Sequence, residues 1–201
     1  MSVSTPVRSG IAHVGLALRQ PEDFAVAWNS GTATYRWWVW LSLISTAILG
    51  TTTYGMTMGL LGSTQDVLYK GAACTLAAGL AWGIALPALY ILNSLSGSRL
   101  SVSSTFLAAL VTTSWGGLAM IASIPINWFF SVAVPHGGLV LLVNLLVFTG
   151  VGISMMDVFN RVMHSLEPER ESTPMWWLML VAAIGGELFC FFGLFNFSFV
   201  G

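Results

Sequence analysis

Charge is what this chain has least of. Of its 201 residues only 7% are charged, seven Arg or Lys and eight Asp or Glu, against 56% hydrophobic. Soluble domains carry roughly 25% charged residues, so this sequence cannot furnish a water-facing surface. A soluble enzyme and a disordered regulator are excluded. A formal net charge of −1 leaves no basic footprint for DNA or RNA, so nucleic acid is excluded as a partner. Two cysteines make no disulfide framework. The three histidines, His13, His136 and His164, lie outside the long apolar runs, so no haem or metal held between helices is expected, nor any other cofactor. Nucleophile elbows, His-Glu-x-x-His pairs and phosphate-cradling glycine loops are missing, and no catalytic residue is assigned. Long apolar stretches are what the chain does have, with a mean hydropathy of +0.81. It reads as an integral membrane protein.

Crossing a bilayer takes about 20 mostly apolar residues. Five stretches qualify, over about 37–61, 70–95, 105–130, 138–159 and 175–199. Unbroken runs of this length are helical, whereas a β-barrel shows ten-residue alternating segments. The expected fold is therefore all-α: a five-helix transmembrane domain over 37–201, preceded by a segment over 1–36. Arg8, His13 and Arg19 interrupt any signal-peptide core there, so none is expected. Pro21, Glu22 and Asp23 read as a helix start. Phe24 and Trp28 then share one face, either dipping into lipid as an interfacial helix or packed on the bundle end. Arg8, Arg19, Arg36, Arg99, Arg161 and Arg170 fall on one side of a five-span arrangement, with Lys70 alone on the other. That asymmetry puts the N-terminus in the cytoplasm and the C-terminus outside. Trp37 and Trp38 at the start of the first span, and Trp176 and Trp177 at the start of the fifth, are candidate interfacial anchors.

Three stretches carry a family likeness. Leu18-Arg19-Gln20-Pro21-Glu22-Asp23-Phe24, followed by Arg36-Trp37-Trp38, is similar to the proline-acidic-aromatic lead of bacterial Yip-like proteins. The Gly97-Ser98-Arg99 turn and its serines resemble the link between spans two and three. Leu118 to Trp128, with Pro125 closing span three, resembles the corresponding stretch of that family. The chain thus resembles the Yip domain family over most of its length, without the Asp-Leu-x-Gly-Pro motif of eukaryotic members. The resemblance implies five spans in the bacterial inner membrane and a non-enzymatic protein working through partners in the bilayer.

Candidate sites are few. Gly55 with Gly59, and Gly79 with Gly83, sit at four-residue spacing and let a second backbone approach; Gly185 and Gly186 offer the same in the fifth span. Glu187 lies twelve residues from either end of the 175–199 stretch, which predicts a midplane carboxyl, costly unless neutral, paired or hydrated. By depth its candidate partners are Asn144, Thr112 and Thr113, with Thr51, Thr149 and Trp115 at similar height. Arg161, Glu167, Glu169, Arg170 and Glu171 form the one dense charge cluster, a solvated connector or a docking surface for a partner. The leading expectation is a non-catalytic scaffold or accessory subunit, bound to membrane lipids and to other membrane subunits or to itself. The alternative is a small transporter or channel-like subunit using Glu187.

Overall fold

A computed structural model of the chain describes residues 6–95, 97–134, 136–169 and 175–195, with side chains for 13–95, 97–134, 136–169 and 179–195. Every regular element among the described residues is a helix: α1 (Pro6–Arg19), α2 (Pro21–Asn29), α3 (Trp37–Met58), α4 (Thr64–Leu95), α5 (Val102–Ala133), α6 (Gly137–Leu166) and α7 (Met175–Phe191). Three of them, α4, α5 and α6, are long and apolar enough to cross a membrane, which marks the chain as a membrane protein. The other two expected spans fall short of that standard. α3 has the length, 22 residues, but Trp37, Trp38, Trp40, Thr51, Thr52 and Thr53 dilute its hydropathy. α7 stops at Phe191 after 17 residues, and Gly193 turns the chain with a left-handed φ of 64°.

Two helices outrun their apolar stretches, for identifiable reasons. α4 begins at Thr64 rather than 70 because Ser63 and Asp66 close a capping box. The Asp66 carboxylate accepts from the Ser63 N–H at 2.7 Å, and the Ser63 hydroxyl accepts from the Asp66 N–H at 3.3 Å. α6 runs to Leu166 rather than 159 because Val158, Phe159, Val162 and Met163 continue one buried stripe. Arg161 and His164, beyond the 138–159 apolar stretch, therefore stand on this helix. Pro87 and Pro125 lie inside α4 and α5, and both helices run on through them.

The five long helices form a curled row in the order α6, α5, α3, α4, α7. Glycines set the closest approach within it. A β-carbon on Gly117 of α5 would stand 2.6 Å from the Thr46 carbonyl of α3, and one on Gly50 of α3 would collide with the Gly117 carbonyl. At the same crossing the Ser114 hydroxyl donates to the Leu43 carbonyl at 2.7 Å. Small residues let backbones meet this closely where no water drives helices together.

Two helices precede the row, where one was expected, and they cap one end of it. α1 packs on α2, α3 and α5, and α2 packs on α6 and α5. Phe24 does not dip outward: it is fully buried, stacked on Tyr35 at 4.0 Å between ring centres. The Tyr35 hydroxyl donates to the Phe24 carbonyl at 2.9 Å, and burial raises its pKa above the ordinary tyrosine value, so it remains a donor. Trp28, half-buried, stacks on Tyr35 at 5.8 Å and meets Trp40 edge-on at 5.2 Å. Ser104 of α5 closes the cap by donating to Asn29 at 2.7 Å.

Candidate functional site

Glu187 is not brought together with the polar residues predicted to surround it. Asn144 is buried on α6, where its Oδ1 accepts from the Tyr54 hydroxyl of α3 at 2.8 Å and its amide donates to the Val140 carbonyl at 2.8 Å. Thr112, also buried, donates along its own helix to Ala108 at 2.8 Å, and Thr113 donates to Leu110 at 3.0 Å. Glu187 is exposed on α7 and bonds to none of them. Its expected midplane depth rested on a span ending at 199. The helix ends one turn beyond Glu187, and the Phe192 carbonyl just after it accepts from Tyr69, near the start of α4, at 3.1 Å. Gly185, two residues earlier, nevertheless stands beside Ala81 near the middle of the 32-residue α4, so Glu187 lies close to the mid-length of that helix.

The candidate glycines divide into two kinds. At Gly55 an added β-carbon would sit 2.6 Å from the Lys70 carbonyl, and at Gly59 2.5 Å from the Val67 α-carbon, so both are packed against α4 within this chain. Gly79, Gly83 and Gly186 have nothing within 4 Å of that position, and Gly185 has only the Ala81 methyl at 3.8 Å. Gly79, Gly185 and Gly186 instead border a cavity.

That cavity, about 720 Å³, lies among α3, α4, α5, α6 and α7. The curl of the row creates it: α4 and α7 arch across toward α6, touching it through Trp82 on Phe159 at 6.0 Å and Phe148 on Phe189 at 4.5 Å. Its wall is apolar, with Ile44, Ile48, Phe106, Met120, Met155 and Phe189 among its residues, and glycines 79, 116, 117, 152, 185 and 186 leave it room. Polar atoms enter as threonine hydroxyls. The Thr51 and Thr75 hydroxyls stand 3.2 Å apart across α3 and α4, Thr75 is also 2.7 Å from Thr52, and Thr113 and Thr149 border the same space from α5 and α6. Among the described residues no Asp, Glu, Lys, Arg, His or Cys lines it. Such a wall can hold a lipophilic molecule and satisfy a single polar group on it; the volume falls within the ~300–1,000 Å³ of small-molecule pockets.

Two residues of the charge cluster are paired within the chain. Arg161 pairs with Glu22 of α2 and with Asp157 at 3.0 Å, four residues back on α6. The Glu167 carboxylate accepts from the Ser98 hydroxyl and the Arg99 N–H, each at 2.7 Å, clasping the α4–α5 turn to the end of α6. Glu169 is exposed. Arg170, Glu171 and the side chains of Trp176 and Trp177 lie outside the described residues, while Trp37 and Trp38 are exposed and stacked on each other at 3.6 Å. Because Arg161 is half exposed, its pairs are screened. Replacing it with Met should lower stability by no more than about 1 kcal/mol, read as a small shift in detergent melting.

Sequence reasoning reached Thr51, Thr113 and Thr149 by depth alone. It missed Tyr54, Thr75 and Phe148, which look like any other residues of an apolar helix until their neighbours are known. No family model, curated protein or solved structure matches this chain.

Proposed function

We propose that this chain is a non-catalytic five-span protein of the bacterial inner membrane, its N-terminus cytoplasmic and its C-terminus external, that works by holding a lipophilic small molecule in its central cavity. The observation that carries this reading is the cavity itself: about 720 Å³, apolar, without a charged residue among its described lining, and bordered by Gly79, Gly152 and Gly186, which have open space beside them. α3 and α7 supply two of its walls, which supports counting them among the spans. The placement of arginines supports the orientation. The likeness to the Yip domain family supports both the span count and the location.

A second reading, an accessory subunit that binds other membrane proteins or a second copy, is favoured by Gly83, an exposed glycine of α4 with open space beside it. Transport through an intramembrane acid has weaker support, because Glu187 does not line the cavity.

One measurement separates the readings. Native mass spectrometry of the protein, purified in mild detergent at its natural level, should show the chain carrying a bound molecule of lipid size. The adduct should be lost in a Gly152→Leu variant, because Gly152 lines the cavity with nothing within 4 Å of an added β-carbon. An adduct-free chain in stoichiometric complex with other subunits would instead establish the accessory role.

A further inference from the structure

We propose, on the basis of the ligand-binding reading above, that the cavity takes a neutral lipid bearing a hydroxyl or carbonyl group, and that this lipid enters sideways from the bilayer between α6 and α7. Charge decides the first part. An ionised head group drawn among these residues would lose its hydration with no opposite charge to compensate it, since no ionisable side chain among the described residues lines the space. Polarity of the wall then selects against a bare hydrocarbon. Thr149 borders the cavity, and its hydroxyl makes no hydrogen bond to any described residue. On the opposite wall Thr51 donates to the Ala47 carbonyl at 2.9 Å and Thr75 to the Gly71 carbonyl at 3.2 Å. Each of those oxygens still has lone-pair capacity to accept. A ligand hydroxyl can donate to that pair, and a ligand carbonyl can accept from Thr149. Size agrees as well. At about one water volume, ~30 Å³, per methylene, an eighteen-carbon chain needs roughly 540 Å³, and the cavity offers about 720 Å³.

The route follows from how the row closes. The α3–α5 and α3–α4 pairs meet backbone to backbone, at Gly50 with Gly117 and Gly55 with Gly71, while the described residues of α6 and α7 make no backbone approach of that kind. These two ends of the row meet through rings: Phe148 lies 4.5 Å from Phe189 and 5.3 Å from Phe195. Rings swing aside by changing rotamer, far faster than packed helices separate. Behind them Gly152 and Gly186 leave open space on both helices. A bilayer molecule can thus reach the cavity without crossing water.

Three probes of equal chain length test this: oleyl alcohol, oleate and 1-octadecene, titrated into the full chain in nanodiscs at mildly alkaline pH, where oleate is ionised. Oleyl alcohol should bind at least tenfold tighter than oleate and several-fold tighter than octadecene. Thr149→Val should erase its advantage over octadecene while leaving octadecene binding intact. Phe148→Ala should speed release of oleyl alcohol about tenfold while its melting shows the bundle still folded. Equal binding of alcohol and hydrocarbon, or preference for oleate, would overturn the ligand class. An unchanged release rate in folded Phe148→Ala would overturn the route. If none of the three probes binds the unaltered protein, it is the ligand-binding reading itself that fails.

Discussion

Gly50→Ala should prevent the bundle from assembling. The added methyl would be driven into the Gly117 carbonyl, and the obstacle is backbone, which has no alternative rotamer. Overpacking usually costs about 1–3 kcal/mol; here α3 and α5 must part along their whole crossing, so the cost should reach or exceed the upper figure. Gly117→Ala should behave alike, its methyl 2.6 Å from the Thr46 carbonyl, and the Ser114 to Leu43 hydrogen bond at the same crossing would be lost with it. Gly79→Ala is the control. Its β-carbon meets open space, and alanine is favoured over glycine in a helix by roughly 1 kcal/mol, so this variant should melt at or slightly above the unaltered protein. Thermal melting followed by size-exclusion chromatography in one detergent ranks all three. A Gly50→Ala protein that melts like its parent would show that α3 and α5 do not approach as described.

Phe24→Ala should release the α1–α2 cap. Phe24 is buried on every side, stacked on Tyr35 and wedged between α2 and the bundle end. Truncating a buried phenylalanine costs about 3–5 kcal/mol, a large fraction of what can hold two short helices in place. Neither α1, with 14 residues, nor α2, with 9, is long enough to persist alone in water. Their amides should therefore lose protection from hydrogen exchange together, while α4, α5 and α6 keep theirs. Tyr35→Phe removes only the hydrogen bond to the Phe24 carbonyl, worth about 1 kcal/mol, and should leave the cap protected. A Phe24→Ala protein with a protected cap would mean that the remaining contacts, Arg161 with Glu22 and Ser104 with Asn29, suffice.

Membrane character, helical class and the approximate position of each long helix were legible in the sequence, because they depend on composition and run length. Local chemistry was legible in part. The Pro21-Glu22-Asp23 start is where α2 begins, whereas the capping box of Ser63 and Asp66 passed unnoticed because both residues read as loop. Neighbours were not legible at all. In a soluble helix the buried face announces itself by being more apolar than the exposed one; in these helices both faces are apolar, so the pattern does not say which side another helix will cover.

That ambiguity explains each departure. Gly55 and Gly79 carry the same spacing signal, yet one is pressed against α4 and the other borders a cavity, because only the crossing of the helices determines what stands opposite a glycine. Asn144 was paired with Glu187 by height and instead receives the hydroxyl of Tyr54, a residue 90 positions away. Phe24 and Trp28 share a helical face by periodicity, but the stacking of Tyr35 decided that the face turns inward. The cavity had no sequence signature whatever. It exists because five helices curl into a row whose ends approach through the rings of Phe148 and Phe189, and that arrangement is a property of the packing alone.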